Sequence, residues 1–388
     1  MTSHLKSLSL IFAGGGTGGH FFPALAIADR VCELAGDKCE KKITFVGTAR
    51  GIEYRLRETL SYPLHVINVR GLERSLTLKN LAVPLLALKS LWQSRTLLKK
   101  TIPDLVVGTG GYVSWPLLRM AAMMKIPVVL QEQNSYPGVA TRQLAQFAAR
   151  VYLGYGEARE FISNEVPLVL TGNPVRRGIT SGNRAEALEH FKLNPSRKTI
   201  LILGGSQGAR AINEAVLKSL ESRPLPVSYQ LLWQTGMNDY AEVVRRLGER
   251  SDQHTVFLFE KRMDLVYAAA DMVIARAGAI SLAEIEAVAL PALLVPYPQA
   301  AGDHQRKNAR ASGSRGFAEV IDPDQLAGVD LLDAVVTMCR DGRVDAMRQR
   351  LRQYVAGRKP AVDVIAEDII RLVITAQEAR LDRSAIGS

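Results

Sequence analysis

Cysteine is rare in this sequence of 388 residues, because only Cys32, Cys39 and Cys339 occur. Their number is odd, and no two of them form a CxxC pair. Neither a disulfide framework nor a zinc site is therefore expected, and a reducing compartment such as the cytoplasm fits. Aromatic residues are also few, at 6%, whereas apolar residues reach 47%. This composition excludes a disordered chain and favours a layered α/β protein.

Long apolar runs are absent as well, since no uninterrupted stretch is long enough to span a bilayer. Residues 1–13 superficially resemble the hydrophobic part of a signal peptide. Their apolar stretch is short, however, and it runs directly into glycines instead of a cleavage site. We expect a buried first strand there, in a soluble or peripheral protein.

Acidic residues are outnumbered, with 38 Asp and Glu against 49 Lys and Arg, which gives a net charge of +11. A basic surface favours an anionic partner such as nucleic acid, acidic lipid or a phosphorylated substrate. The basic residues are dispersed, and no recognised DNA- or RNA-binding motif occurs. We therefore expect no nucleic-acid partner.

Strand-like and helix-like segments alternate along both halves of the chain, which predicts parallel sheets covered by helices. One helix is expected from Pro23 to Val31, and an amphipathic helix is expected over residues 362–379. The predicted strands are Ser7–Ala13, Lys42–Val46, Leu105–Val107, Ile126–Leu130, Thr199–Leu203, Tyr229–Trp233, Thr255–Phe259, Met272–Ala275, Ala292–Val295 and Ala318–Ile321.

The start of the second half is similar to the start of the first. LIFAGGGTGG, which contains Gly15, resembles LILGGSQGAR, which contains Gly204. A strand, glycines and a helix recur in the same order, so a duplication is favoured over two unrelated turns. We predict an α/β fold of two tandem Rossmann-like domains, residues 1–172 and 173–361, with a cleft between them. The helix over residues 362–388 is expected to pack back on the first domain.

Both glycine-rich loops, Gly14–Gly19 and Gly204–Gly208, are predicted to connect a strand to a helix. Glycines allow close approach of the backbone, and a helix N-terminus offers N–H groups and positive dipole, so phosphate is the natural ligand class. Neither loop is a Walker A motif. The first loop fits G-x-G-x-x-G, but a nicotinamide oxidoreductase needs an acid after the second strand, and none occurs before Glu53.

Polar residues follow these loops at three places. His20 would lie at a helix N-terminus, which keeps an imidazole neutral, so it is a candidate general base or a capping or substrate-binding residue. Glu284 lies in an apolar helix and either accepts hydrogen bonds from a ribose diol or is exposed, whereas Glu286 is expected to be solvated. Residues 303–308 either bind a sugar or begin a polar helix.

No metal site and no cofactor are predicted. Asp322-Pro-Asp324 matches D-x-D, but it follows a short strand and precedes a helix, so a turn and a helix cap are the expected roles. The charge of a leaving diphosphate would instead be met by helix N-termini and arginine.

Seven short motifs occur together in the order and at the separations of one known family. On these motifs the chain resembles the MurG family, the UDP-N-acetylglucosamine transferases that convert lipid I to lipid II in peptidoglycan synthesis. The resemblance covers nearly the whole chain. The motifs are Gly15-Gly-Thr-Gly-Gly-His20, Gly110-Gly-Tyr112, Glu132-Gln-Asn134, Gly172-Asn-Pro-Val-Arg176, Gly204-Gly-Ser-Gln-Gly-Ala-Arg210, Arg276-Ala-Gly-Ala279 and Asp303-His-Gln305.

The resemblance implies an inverting glycosyltransferase of the GT-B fold, whose second domain holds the UDP-sugar and whose first holds the acceptor. N-acetylglucosamine would move from UDP-N-acetylglucosamine to the C4 hydroxyl of the muramoyl sugar of lipid I (undecaprenyl-pyrophosphoryl-MurNAc-pentapeptide). The resemblance further implies a peripheral protein at the cytoplasmic face of the inner membrane, with an anionic membrane surface as a partner.

The resemblance also implies roles for individual residues. His20 is the catalytic base candidate, Glu284 binds the ribose, and Arg176 lies at the diphosphate. A main-chain contact to uracil is implied at Glu260, where the family usually has a hydrophobic residue, and residues 131–134 lack the histidine often seen before the glutamate. The implied substrate-binding residues are Thr17, Gly18, Gly19, Asn134, Arg176, Ser206, Glu260, Ala279, Ile280, Ser281, Leu282, Ala283, Glu284 and Gln305.

A candidate membrane surface lies within residues 78–100. Leu78, Leu81, Leu85, Leu88 and Trp92 recur at helical spacing, and Lys79, Lys89, Arg95, Lys99 and Lys100 lie nearby. Apolar side chains with Lys or Arg suit an interface with anionic lipid, although an ordinary core helix with a basic face gives the same pattern. Pro84 interrupts the pattern, so the helix is expected to begin near it.

One alternative function shares the fold: another sugar-nucleotide enzyme, either a UDP-N-acetylglucosamine 2-epimerase or a transferase with a different lipid acceptor. An epimerase needs neither an acceptor nor an apolar, basic surface. The first glycine motif together with Glu132-Gln-Asn134 argues against it.

Overall fold

The computed structural model describes residues 5–69, 83–163, 165–205 and 207–386. Contacts divide the chain into two compact units. Unit 1 comprises residues 1–175 and 359–388, and unit 2 comprises residues 176–358. The assignment of acceptor and donor roles to the two stays a prediction.

Unit 1 contains a parallel sheet of seven strands among the described residues. The strands run in the order β3-β2-β1-β4-β5-β6-β7. The central strands are apolar because helices cover both faces, and every residue of β4 and β5 is buried. The strands are β1 Ser7–Ala13, β2 Glu40–Gly47, β3 Leu64–Val66, β4 Leu105–Gly108, β5 Val128–Glu132, β6 Arg150–Leu153 and β7 Leu168–Leu170.

The first helix of unit 1 begins earlier than predicted. The carbonyl of Thr17 accepts the amides of His20 and Phe21, so the helix starts at Gly18 and Pro23 lies inside it. The prediction that Pro23 opens the helix was therefore wrong. The helices are α1 Gly18–Ala35, α2 Ile52–Arg55, α3 Val83–Thr101, α4 Ser114–Met123 and α5 Val139–Leu144, with 3-10 turns at Ala145–Phe147 and Gly156–Phe161.

The described part of unit 2 contains a second parallel sheet, of six strands. Its order is β10-β9-β8-β11-β12-β13. Trp233, on the second strand of the unit, is fully buried in its core. The strands are β8 Lys198–Leu203, β9 Tyr229–Gln234, β10 Thr255–Phe257, β11 Met272–Ala275, β12 Ala292–Leu294 and β13 Ala318–Val320.

Helices of unit 2 connect these strands in the way that a parallel sheet requires. They are α6 Arg184–His190, α7 Arg210–Ser222, α8 Tyr240–Leu247, α9 Met263–Ala269, α10 Ala279–Ala287, α11 His304–Ser314, α12 Leu331–Arg340 and α13 Arg343–Ala356. Short 3-10 turns lie at Gly248–Gln253, Ala301–Asp303 and Leu326–Gly328.

The two sheets repeat one strand order. Numbered within its own unit, each sheet runs 3-2-1-4-5-6, and unit 1 adds a seventh strand. This is the order of the Rossmann fold, in which ligands bind where the order reverses, between strands 1 and 4. The predicted pair of tandem Rossmann-like folds is therefore confirmed.

The last helix of the chain, α14 Ala361–Ile386, packs against α1 in unit 1. Its apolar side chains Ile365 and Ile369 are fully buried in the same core as β1. Polar contacts fix its register, since Arg30 Nε lies 2.6 Å from Asp363 and the Tyr152 hydroxyl donates to Asp368 at 2.9 Å. None of the helices in the described ranges combines the length and the apolar character that a membrane-spanning helix needs.

Candidate functional site

Two glycine-containing loops of unit 1 lie together at the carboxyl ends of β1 and β4, where the strand order reverses. Gly110 and Gly111 have φ angles of +95° and +78°. A Cβ atom on Gly110 would lie 2.8 Å from Nδ1 of His20, and one on Gly111 would lie 2.7 Å from the carbonyl oxygen of Gly15. Glycine is therefore required at both positions by conformation and by space.

His20 lies in the first turn of α1, and its ring is held by oxygen atoms. Nδ1 is 3.0 Å from the carbonyl oxygen of Thr109 and 3.0 Å from Oε1 of Gln133. Gln133 itself is oriented by its amide nitrogen, which donates to Thr109 at 2.7 Å. Because both neighbours of Nδ1 are acceptors, we assign the proton to Nδ1 and the free lone pair to Nε2. This tautomer suits a general base.

The segment before His20 forms the N-terminus of α1. Thr17 is the N-cap residue and makes no side-chain capping bond. Thr17 and Gly19 are exposed. The first amides of a helix have no partner within it, so this end can receive an anion.

Asn134 is positioned by a buried carboxylate on β5. Glu132 is 2% exposed, and its Oε1 accepts from the backbone amide and the side-chain amide of Asn134 at 3.0 and 3.2 Å. Its Oε2 accepts from the amide of Gly138 at 3.1 Å. The glutamate thus closes the loop after β5 and fixes the asparagine side chain.

Glu53 is a buried acid whose role the sequence did not reveal. It lies on α2, is 1% exposed, and accepts the amides of Gly16 and Thr48, each at 2.9 Å. A Cβ atom on Gly15 would lie 2.6 Å from its Oε1. The carboxylate therefore fixes the backbone of the first glycine loop by hydrogen bonding and close packing. The signal available in the sequence was the pair Gly47 and Gly51 close to it in the chain.

The N-terminus of α10 lies at the carboxyl end of β11 in unit 2, again where the strand order reverses. Gly278 is the N-cap residue and offers no side-chain cap, so the amides of Ala279, Ile280 and Ser281 have no partner within the helix. Helix dipole and free amides favour an anion at this end. The next residues, Leu282 and Ala283, continue the first turn.

Glu284 follows on α10 and is buried, with 6% of its surface exposed. Its Oε1 accepts from Nε and Nη2 of Arg176 at 3.2 and 3.1 Å, and its Oε2 accepts from the Tyr267 hydroxyl at 3.0 Å. The structure thus brings together two of the predicted site residues, Arg176 and Glu284. The alternative that Glu284 is an exposed helix position was wrong.

Glu286 is also largely buried, and the expectation that it is solvated was wrong. Its Oε1 accepts from the Ser312 hydroxyl at 3.2 Å and from Arg315 at 3.1 Å. Burial raises the pKa of this carboxyl, and Arg315 opposes the shift. The residue joins α10 to the end of α11, so its role is structural.

The remaining predicted residues of unit 2 have separate surroundings. Gln305 lies in the first turn of α11, and its Oε1 accepts the amide of Tyr297 at 3.0 Å. Glu260 donates its own amide to Oε1 of Gln234 at 3.3 Å. Ser206 lies outside the described residues.

The two aspartates of the D-x-D segment in unit 2 form ion pairs with an arginine side chain. Arg306 lies 3.5 Å from Asp322 and 3.5 Å from Asp324. Across the part of the chain that the structure describes, no group of three or more His, Cys, Asp or Glu side chains could hold a metal ion.

Two family models match the sequence: the N-terminal domain of glycosyltransferase family 28 over residues 10–153 and its C-terminal domain over residues 199–359. A Chlorobaculum tepidum protein named UDP-N-acetylglucosamine--N-acetylmuramyl-(pentapeptide) pyrophosphoryl-undecaprenol N-acetylglucosamine transferase is 40% identical, over 94% of this chain and 99% of the relative. The crystal structure of Acinetobacter baumannii MurG, 26% identical, aligns with a TM-score of 0.72 over 94% of this chain and 99% of that chain. The chain belongs to the MurG family. The family and the GT-B fold expected from the motifs are thereby confirmed.

Two enzyme classes that share this fold, the UDP-N-acetylglucosamine 2-epimerases and the glycosyltransferases, are distinguished by sequence. The UDP-N-acetylglucosamine 2-epimerase from Neisseria meningitidis aligns with a TM-score of 0.62, but at 12% identity this likeness shows the fold alone. The family 28 matches and the 40% identity identify a glycosyltransferase instead.

The side chain of Glu260 has a local role. Its Oε1 accepts the amides of Lys261 and Arg262 at 2.6 and 2.8 Å. The side chain thus closes its own turn. This leaves the implied uracil contact, a main-chain contact, as a prediction.

Proposed function

We propose that this MurG-family chain transfers N-acetylglucosamine from UDP-N-acetylglucosamine to the C4 hydroxyl of the muramoyl sugar of lipid I, giving lipid II. The observation that carries the proposal is the 40% identity to a relative that is named for this transfer, since the match covers 99% of the length of that relative. The positions of His20 and of the start of α10, each at the carboxyl ends of the strands where the order of its sheet reverses, support it.

The donor is bound by unit 2 in this proposal. The free amides at the start of α10, with Arg176 and Ser206, receive the diphosphate, because helix dipole and guanidinium both favour an anion. Glu284 accepts hydrogen bonds from the ribose hydroxyls, and Gln305 binds hydroxyls of the sugar. The main chain at Glu260 contacts the uracil.

The acceptor is bound by unit 1, and His20 removes a proton from its hydroxyl. The oxygen attacks the anomeric carbon as the bond between that carbon and the phosphate oxygen breaks, so UDP leaves and the configuration inverts. The proton moves to Nε2 of His20, since Nδ1 faces Thr109 and Gln133. Thr17, Gly18 and Gly19 lie beside the donor sugar and the acceptor pyrophosphate, and Asn134 contacts the donor sugar.

Membrane association is proposed through the α3 face, which we define as Leu88, Lys89, Trp92, Arg95 and Lys99. Leu88 and Trp92 are 65% and 67% exposed, and the three basic residues are exposed beside them. A surface of this kind suits peripheral binding to an anionic membrane at its cytoplasmic face.

Several residues of the predicted membrane surface are not included in the α3 face. Leu78, Lys79 and Leu81 lie outside the described residues, and nothing is described of the side chain of Leu85. The described helix begins at Val83, next to Pro84, in agreement with the expected start.

Genetic complementation tests the proposal in a cell. A bacterium depleted of its own MurG-family enzyme stops making lipid II, and expression of this chain is expected to restore lipid II and growth. The chain carrying His20→Ala, expressed at the same level, is the control and is expected not to do so. Stable expression of the unaltered chain without any lipid II would contradict the proposal.

A further inference from the structure

Both oxygens of the Glu284 carboxylate are held by side chains of unit 2, but the two holders differ. Arg176 is half-exposed, with 36% of its side chain accessible, and precedes any regular element of the unit. Tyr267 lies on α9, is 3% exposed, and donates its hydroxyl to Oε2 at 3.0 Å. The tyrosine is therefore the rigid, buried support of the pair.

The hydroxyl of Tyr267 can act only as a donor toward this carboxylate. Burial and the nearby Glu284 charge both raise the pKa of the phenol well above its ordinary value. The phenol stays protonated, and its single hydrogen points at one oxygen of the glutamate. Rotation of the carboxylate about its last side-chain bond, which is otherwise soft, is thereby fixed.

We propose that Tyr267 is a positioning residue that orients Glu284 to recognise the two ribose hydroxyls of the donor nucleotide. This inference rests on the proposed function, which places a ribose at Glu284. A carboxylate offers about four lone-pair directions. Tyr267 takes one of them on Oε2 and Arg176 engages Oε1, so the directions that remain are set by these two contacts.

Loss of the Tyr267 hydroxyl removes the fixed contact, and Arg176 remains as the partner of the carboxylate among the described side chains. The carboxylate can then rotate to present both oxygens to the guanidinium, since paired bonds of this kind are favourable. Ribose hydroxyls lose an oriented acceptor in that arrangement. Selectivity for ribose is therefore expected to fall more than the affinity for the base and the diphosphate.

The test compares Tyr267→Phe with the unaltered protein in binding UDP and 2′-deoxy-UDP by calorimetry. We expect the unaltered protein to bind UDP about tenfold more tightly than 2′-deoxy-UDP, as for a hydrogen bond to a charged group. In the phenylalanine variant this ratio is expected to fall to about one- to threefold. Both constants come from one preparation, so the ratio does not depend on the folded fraction.

A matched control is available in the same unit. Tyr229 on β9 is also buried, at 8% exposure, and its hydroxyl contacts Cys339. Tyr229→Phe is expected to leave the ratio unchanged. In a Glu284→Gln background, Tyr267→Phe is expected to have no further effect on the ratio, because the tyrosine acts through the glutamate.

The outcomes separate this inference from the proposed function. If the unaltered protein discriminates against 2′-deoxy-UDP and Tyr267→Phe discriminates equally well, the inference is overturned and the proposed function stands. If the unaltered protein binds UDP and 2′-deoxy-UDP equally tightly, the proposed roles of both Glu284 and Tyr267 in recognising the ribose are contradicted. If it does not bind UDP at all, the proposed function itself is contradicted.

Discussion

His20 illustrates how single residues set the chemistry of this site. Its proposed role as a base depends on which ring nitrogen carries the proton. Thr109 and Gln133, whose acceptor oxygens lie 3.0 Å from Nδ1, place that proton on Nδ1. The sequence placed His20 beside the glycine loop, but Gln133 entered only as part of a motif. Its contact with His20 requires β5 to lie beside β4, which only the folded sheet shows.

Replacing His20 by alanine is expected to lower kcat by about 10²- to 10⁴-fold, the usual contribution of a general base. The dissociation constant of UDP is expected to change little, because the residues proposed to bind UDP lie in unit 2. Steady-state kinetics and calorimetry measure the two effects. His65→Ala, at an exposed histidine of the same unit, is the control. Near-normal turnover of the His20 variant at saturating substrates would rule out its role as the base.

Glu53 is expected to make a large contribution to stability for its size. Glu53→Ala leaves the half-buried amide of Gly16 and the buried amide of Thr48 without their acceptor, so the free energy of unfolding should fall by about 2–4 kcal/mol. Urea denaturation measures this change. Glu58→Ala, at a glutamate whose side chain is 81% exposed, should change it by less than about 0.5 kcal/mol. Equal effects of the two substitutions would show that Glu53 does not support the loop.

At the scale of elements, the α3 face leads directly to a prediction about membrane binding. Leu88→Ser combined with Trp92→Ser removes its two exposed apolar side chains, and we expect binding to anionic vesicles to weaken by about tenfold or more. Vesicle flotation measures the binding. Val227→Ser with Met237→Ser, at exposed apolar residues of unit 2, is the matched control. Unchanged flotation of the α3 variant would contradict the proposed membrane surface.

Most of the central strands were predictable because they are long or strongly apolar, but the interior strand Arg150–Leu153 was missed. Ser7–Ala13 and Met272–Ala275 have the bounds that the sequence predicted. The edge strands Leu64–Val66 and Leu168–Leu170 were missed because their apolar stretches are short. The equally short edge strand Thr255–Phe257 was predicted because it begins a longer apolar run. The start of α1 was misplaced because Pro23 was taken as an opening residue.

The two buried acids show what a sequence pattern cannot supply. Glu284 was singled out as a candidate ribose ligand, a role that stays a prediction, but its burial and its contact with Tyr267 depend on the packing of α9 against neighbouring elements. Glu53 entered the sequence analysis only as the first acid that follows the second strand. Its partners Gly16 and Thr48 lie in different loops, which the sheet brings together.

At the scale of the whole molecule, the same strand order is used twice. Each unit therefore offers a glycine loop and a helix N-terminus at its reversal point, and the two units can diverge in what they bind. Unit 1 has His20 at this point, whereas unit 2 has Arg176, Glu284 and Tyr267 together. We infer that acceptor chemistry and donor recognition are divided between them.

Transfer itself tests this account most directly. Labelled N-acetylglucosamine is supplied as its UDP ester with a short-chain lipid I analogue, alongside UDP-glucose, UDP-N-acetylgalactosamine and a reaction without acceptor. The account predicts a β-linked product from UDP-N-acetylglucosamine only, and only when the acceptor is present. Tight binding of UDP-N-acetylglucosamine without any acceptor-dependent product would contradict it.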